Sequence, residues 1–155
     1  VDTPGLLDRP MEKRNDIELQ AISALEHLGS LVLFLIDESK NCETPIQEQL
    51  NLLEEVKLLL PDTKLMVVSS KADLMDPAPN DWDFVKQVEK EWVEDGSEGE
   101  PELPLLIDSN GRVTMSALEQ VGLESMKLEI VRVVKDSNEN NPMELPEGWY
   151  RSDIE

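Results

Sequence analysis

The stretch Thr63-Lys-Leu-Met-Val-Val-Ser69 runs directly into Ser70-Lys-Ala-Asp73, and this join decides the fold class. A short, continuous apolar run predicts a strand covered on both faces, which is typical of a parallel sheet. A second such run, Leu31 to Ile36, lies in the strand that we expect at 30–37 and is followed by Asp37. Polar residues therefore follow both strands at their carboxyl ends, where ligands bind in open α/β sheets.

Helical patterns separate the apolar runs. A third strand is expected within 103–116, where an Asn-Gly pair between two apolar runs indicates a hairpin. Strands that alternate with helices predict an α/β fold with a mostly parallel sheet and helices on both faces. The predicted helices span about 16–28, 45–60, 81–94 and 118–135.

Two details of these helices follow from local chemistry. Thr44 followed by Pro45 predicts a helix start, with the threonine side chain as the N-cap and proline at the first helical position. The buried stripe of that helix is expected at helical spacing. Its members are Ile46, Leu50, Leu53 and Val56.

The bulk composition excludes several classes of protein. The 155 residues fit one domain, and 34 acidic against 14 basic residues give a net charge of −20. This charge argues against a direct nucleic-acid-binding patch, which needs clustered Lys and Arg. Cys42 is the sole cysteine, so no intrachain disulfide can form, and no apolar run is long enough to cross a bilayer. We expect a domain at 1–135 with an acidic loop at about 95–102, followed by a polar tail at 136–155.

The four residues after the second strand, Ser70 to Asp73, resemble the guanine-specificity motif N-K-x-D of GTP-binding proteins. An aspartate carboxylate can accept both the N1–H and the exocyclic N–H of guanine, and adenine lacks this donor pair. The aliphatic stem of Lys71 can lie over the base. Ser70 replaces the usual Asn, and its hydroxyl makes fewer hydrogen bonds than an amide. A plain charged loop at a strand end is the alternative reading.

Ser116-Ala117-Leu118 follows the third predicted strand and is similar to the S-A-K motif. In that motif a backbone N–H contacts the guanine carbonyl. Leu118 stands in place of the usual Lys. The alternative is that Ser116 is only the N-cap of the last helix.

Asp2-Thr-Pro-Gly5 matches the switch II pattern D-x-x-G. This resemblance places Asp2 near magnesium in its second coordination shell and directs the backbone N–H of Gly5 to the γ-phosphate. A Pro-Gly turn is the alternative. Leu6 stands where many GTPases carry the Gln that orients the attacking water, so the catalytic group is unknown.

The phosphate-binding motif G-x-x-x-x-G-K-[ST] occurs nowhere in the chain. The three motifs nevertheless come in the order that a G domain requires, each beside a predicted strand. We therefore expect a partial P-loop GTPase fold whose first strand and P-loop are missing. Without the phosphate cradle, the chain alone is predicted to show no GTPase activity and to bind GDP at micromolar concentration or more weakly.

Further segments narrow the resemblance to the NOG family of nucleolar-type GTP-binding proteins, in the Obg-related branch of translation GTPases. The segments that carry it are Asp2 to Pro10, Arg14 to Glu18, Leu25 to Leu28, Val32 to Asp37, and Cys42 with Ile46 to Leu50. The resemblance implies binding of GTP or GDP with Mg²⁺ and slow GTP hydrolysis. It also implies a role in large-ribosomal-subunit assembly, with a pre-ribosomal particle or ribosomal proteins as partners.

The resemblance implies a location that depends on the source: cytoplasmic in an archaeon, nucleolar or organellar in a eukaryote. A second hypothesis is a degenerate G domain that acts as an acidic protein-interaction module without nucleotide. Ser70 and Leu118 favour that hypothesis. The intact motif residues argue against it, namely Asp2, Gly5, Lys71 and Asp73.

Overall fold

The computed structural model describes residues 31–96, 98–99 and 101–140, together with Asp16 and Ser23. Asp16 and Ser23 are helical and exposed, within the helix predicted at 16–28. The elements are β1 (Val32–Asp37), α1 (Ile46–Leu59), β2 (Leu65–Ser70), a 3₁₀ turn (Ala72–Leu74), α2 (Trp82–Glu94), β3 (Val113–Thr114) and α3 (Leu123–Asn140).

The three strands form one sheet in the order β1-β2-β3, and both pairs are parallel. Val32 pairs with Leu65 at one end of β1, and Asp37 pairs with Ser70 at the other. The carboxyl ends of β1 and β2 therefore lie side by side. The predicted parallel sheet is confirmed, and the two longer strands begin two residues later than the sequence suggested.

Helices cover both faces of this sheet, as predicted. Val32 and Phe34 pack against Val56 and Leu60 at the end of α1. Successive residues of a strand point to opposite faces. Leu33 accordingly lies on the other face, in a cluster with Met66, Val68, Met126 and Ile130 that includes side chains of α3.

A separate core cluster ties α2 to the loops at the carboxyl end of the sheet. Val85 of α2 is completely buried with Leu106 and Val121, and Ala72 is almost completely buried among them. Ala72 belongs to the turn that follows β2, so this cluster fixes the backbone of the Ser70–Asp73 motif.

The predicted hairpin is present, but it is shorter than expected. Ile107 and Val113 form an isolated antiparallel bridge, and the strand itself covers only Val113–Thr114. The Asp108 carboxylate closes the turn by accepting the backbone N–H groups of Asn110 and Arg112 at 2.8 and 2.9 Å. These bonds use donors that a longer strand ladder would otherwise engage.

The start of α1 differs from the prediction. Pro45 is its N-cap residue and no side chain caps it, so the assignment of the Thr44 side chain as a cap is wrong. The Thr44 carbonyl instead accepts a hydrogen bond from Gln49 Nε2 at 2.9 Å. Ile46 is 39% exposed, so it does not belong to the buried stripe, whereas Leu53 and Val56 do.

The last helix was also placed wrongly. It begins at Leu123 instead of Leu118 and extends to Asn140, five residues past the predicted end. Gln120 and Gly122 have positive φ angles of 55° and 78°, which are incompatible with a continuous right-handed helix. Leu118 is 80% exposed in the intervening turn, not inward-facing.

Candidate functional site

Two loops meet at the carboxyl end of β2. The Ala72 N–H donates to the Met115 carbonyl at 3.0 Å, and the Met115 N–H donates to the Ser69 carbonyl at 3.0 Å. Lys71 has left-handed backbone angles, φ 56° and ψ 44°, which turn the chain sharply after the strand. A non-glycine residue in this region costs about 1–2 kcal/mol, and such residues cluster at functional sites.

Asp73 and Ser116 are brought into direct contact across 43 positions of sequence. The Ser116 hydroxyl donates to Asp73 Oδ1 at 2.5 Å and accepts the Glu119 N–H at 3.1 Å. Ser116 is completely buried and Asp73 is half-buried. Within the part of the chain that the structure describes, Asp73 Oδ2 accepts no hydrogen bond. A carboxylate offers about four lone-pair positions, so both oxygens can still accept donors from a ligand.

Lys71 is held by an ion pair to the end of β1. Its Nζ lies 2.6 Å from Asp37 Oδ2. Partial burial acts to raise the pKa of Asp37, but hydrogen bonds from Lys71 and Ser39 outweigh it and keep the pKa below its ordinary value. The hydrogen bond with Asp37, together with the carboxylate charge, raises the pKa of Lys71. Both groups therefore stay charged at neutral pH.

Asp37 is fixed in turn by Gln49 of α1. The Gln49 amide accepts the Asp37 N–H and donates to the Asp37 carbonyl, both at 2.8 Å. The Ser39 N–H donates to Asp37 Oδ1 at 2.9 Å. The ammonium of Lys71 thus has an anchored partner, and its aliphatic stem spans the space between the ends of β1 and β2.

Ser70 and Ala117 occupy the edges of this arrangement. The Ser70 hydroxyl donates to the Ile36 carbonyl at 3.1 Å, so it braces β2 against β1. Ala117 is exposed at the start of the turn that follows Ser116. The structure therefore gathers Lys71, Asp73, Ser116 and Ala117 in one place, with Ser70 turned towards the neighbouring strand.

A depression of about 340 Å³ opens beside Asp73. Its walls are Ala72, Asp73, Ala78, Trp82 and Glu119. Pockets for small ligands span about 300–1,000 Å³, so this one lies at the lower limit. A larger groove of about 640 Å³ lies between 101–105 and α3, and it contains none of the motif residues.

Sequence reasoning missed two buried carboxylates that support the site. Asp108 accepts the Ser69 hydroxyl at 3.0 Å, directly before the motif. Glu89 of α2 is 2% exposed and accepts hydrogen bonds from Gly122, at the end of the loop that follows Ser116, and from Ser125 of α3. Glu89 stands four positions after Val85, on the apolar side of its helix, and this placement was the available signal.

Asp2 and Gly5 lie outside the described residues, so their roles stay predictions. No group of three or more His, Cys, Asp or Glu side chains that could hold a metal ion occurs in the described part of the chain. None of the described helices is long and apolar enough to cross a membrane.

Part of the chain matches a known protein family. Residues 16–73, which include Lys71 and Asp73, match the family model described as nucleolar GTP-binding protein 1 (NOG1). An uncharacterized protein of Methanocaldococcus jannaschii is 57% identical over 76 residues, which is 49% of this chain and 21% of that protein.

Two eukaryotic relatives are named nucleolar GTP-binding protein 1. The Caenorhabditis elegans protein is 41% identical over 96 residues, covering 60% of this chain and 14% of its own length. The Candida glabrata protein is 30% identical over all 155 residues, which make up 24% of its length. The chain thus spans between about a seventh and a quarter of these relatives. This protein belongs to the NOG family.

Proposed function

We propose that this chain carries the base-recognition part of a guanine-nucleotide site in a GTP-binding protein of the NOG type. The observation that supports this most directly is the Asp73 carboxylate, which Ser116 fixes through Oδ1 while Oδ2 accepts no hydrogen bond from the described residues. A pair of N–H donors on the guanine edge fits two carboxylate oxygens, and a base without that pair leaves the carboxylate unpaired.

The other predicted residues take supporting roles in this proposal. Lys71, tied to Asp37, lays its stem against the face of the base. The backbone at Ser116 and Ala117 meets the guanine carbonyl, and Ser70 braces the strand end. Asp2 lies in the second coordination shell of Mg²⁺, and the Gly5 backbone N–H contacts the γ-phosphate of GTP.

The cellular role rests on the relatives. Proteins named nucleolar GTP-binding protein 1 match this chain in several eukaryotes, and an archaeal protein matches at 57% identity. The proposed role is assembly of the large ribosomal subunit, with a pre-ribosomal particle or ribosomal proteins as partners. Its proposed location is the nucleolus or an organelle in a eukaryote and the cytoplasm in an archaeon.

Titration with free nucleosides tests the base site without the phosphates. We expect guanosine, but not adenosine, to shift the NMR signals of Lys71 to Asp73 and of Ser116 and Ala117. Asp73→Asn should lose affinity for guanosine and gain affinity for xanthosine, because an amide N–H can pair with the carbonyl that replaces the guanine amino group in xanthosine.

The matched control is Asp62→Asn, which removes the same charge from an exposed turn after α1. This variant should keep the wild-type ratio of guanosine to xanthosine affinity. An unchanged ratio in Asp73→Asn would show that Asp73 does not read the base.

Specific observations favour the second hypothesis, an acidic interaction module without nucleotide. The Ser70 hydroxyl is engaged by the Ile36 carbonyl, Leu118 is 80% exposed where the motif has Lys, and the chain carries a charge of −20. The same titration separates the two hypotheses. Equal, negligible shifts with all three nucleosides, together with nucleotide-independent capture of basic ribosomal proteins, would favour the interaction module.

A further inference from the structure

A buried carboxylate lies next to the candidate base site but outside every motif that identified it. Glu89, in the middle of α2, is 2% exposed. Its Oε2 accepts the Gly122 N–H at 2.7 Å, and its Oε1 accepts the Ser125 N–H at 2.9 Å and the Ser125 hydroxyl at 2.8 Å. Three donors on two oxygens compensate for the cost of removing a carboxylate from water.

These bonds give α3 an N-terminal cap from another helix. The first N–H groups of a helix have no partner within it, and a side chain at the N-cap usually accepts one of them. Gly122, directly before Leu123, has no side chain with which to do this. Glu89 supplies an acceptor for the Ser125 N–H in the first turn from 36 positions earlier in the chain, and its negative charge suits the positive end of the helix dipole.

The capped loop leads back to the base site. Ser116 and Val121 form an isolated bridge, with N–H to carbonyl distances of 2.9 and 3.1 Å in the two directions. The segment 116–121 is therefore a closed loop, and the bridge that closes it lies next to Gly122. Fixing Gly122 fixes Val121, and through the bridge it fixes the Ser116 backbone whose hydroxyl contacts Asp73.

We propose that Glu89 is a positioning residue for guanine-base recognition. It acts through Gly122 and Val121 to hold Ser116 and Ala117 at the base edge and to keep the Ser116 hydroxyl on Asp73. This inference rests on the proposed function of the same site, and it adds a positioning residue from a helix that carries no motif.

The test uses Glu89→Gln, which keeps the shape of the side chain. The amide has an NH₂ group in place of one carboxylate oxygen. This NH₂ group must therefore face the N–H of either Gly122 or Ser125, which then loses its acceptor. Loss of one such charge-assisted bond should raise the guanosine Kd about tenfold. It should also speed hydrogen exchange at the Val121 and Gly122 amides.

A variant destabilised elsewhere in the fold separates positioning from general weakening. Val56→Ala removes buried volume from the cluster under α1, which shares no residue with the Glu89 contacts. It should lower the melting temperature but leave the guanosine Kd and the exchange of Val121 and Gly122 unchanged under conditions where the protein is folded.

The possible outcomes overturn different parts of the proposal. A wild-type chain without guanosine preference overturns the proposed function, and the role of Glu89 with it. A wild-type preference that Glu89→Gln retains, with unchanged amide exchange, overturns the role of Glu89 alone. Equal losses in Glu89→Gln and Val56→Ala also overturn it, because they would show that any destabilisation loosens the site.

Discussion

Gly122→Ala should be the most damaging single-methyl substitution in the loop that leads to α3. Gly122 has φ +78°, and a Cβ placed on it would lie 2.7 Å from the Thr114 carbonyl oxygen and 3.3 Å from Leu106 Cβ. The carbonyl oxygen is backbone and cannot swing aside like the end of a flexible side chain. The loop must therefore shift, and the bond from Gly122 to Glu89 must lengthen.

The chain contains a matched control for this substitution. Gly111 has φ +76°, and a Cβ placed on it has nothing within 4 Å. Gly111→Ala therefore has only the conformational cost of a left-handed alanine, about 1–2 kcal/mol. Gly122→Ala has this cost together with a steric cost of about 1–3 kcal/mol, which is typical of forcing an extra methyl into a packed site.

Urea denaturation followed by tryptophan fluorescence measures both variants. We expect Gly122→Ala to lower the free energy of unfolding by about 1–3 kcal/mol more than Gly111→Ala does. With a slope of about 1–3 kcal/mol per M, the two midpoints should differ by on the order of 1 M. Losses that agree within about 0.5 kcal/mol, the usual size of surface effects, would refute the steric argument.

Two further predictions concern the supports of the site. Because the folded-state pKa of Asp37 lies below its ordinary value of 3.8, its contribution to stability is present above that value and is lost as the pH falls through the folded pKa. In urea titrations, the free energy of unfolding of the wild type should therefore exceed that of Asp37→Asn by less and less between about pH 5 and pH 2. A difference that grows on acidification would contradict the ion pair. Val85→Ala should cost about 1–3 kcal/mol, since Val85 is completely buried against Ala72, whereas Val93→Ala on the same helix, at a 52% exposed position, should cost less than about 0.5 kcal/mol. Thermal melts of the two variants check this, and equal melting temperatures would show that α2 does not support the motif turn.

The sequence was sufficient for the elements that consist of adjacent residues with a clear pattern. β1 and β2 are continuous apolar runs, and α2 has apolar side chains at helical spacing, so local periodicity located all three. The order of strands and helices then predicted the parallel sheet. That order also placed Lys71 and Asp73 at its carboxyl edge.

Local rules failed where the backbone satisfies its hydrogen bonds over a distance. Thr44 is a good capping residue by composition, but Gln49 reaches back to its carbonyl instead. Ser116 was expected to start the last helix, but it lies seven residues before α3 begins, and its hydroxyl is engaged by Asp73 and Glu119. A propensity scale cannot contain these partners, because they are set by tertiary packing.

Residue types and their spacing were enough to predict the fold class and the family, and to single out the motif residues that we propose for guanine recognition. Only the folded chain shows that Asp73 meets Ser116, that Lys71 pairs with Asp37, and that Glu89 caps the first turn of α3 at Ser125, 36 residues away. The physical reason is that a buried polar group must find a partner wherever the fold brings one, and the sequence gives no distance between residues that lie far apart in it.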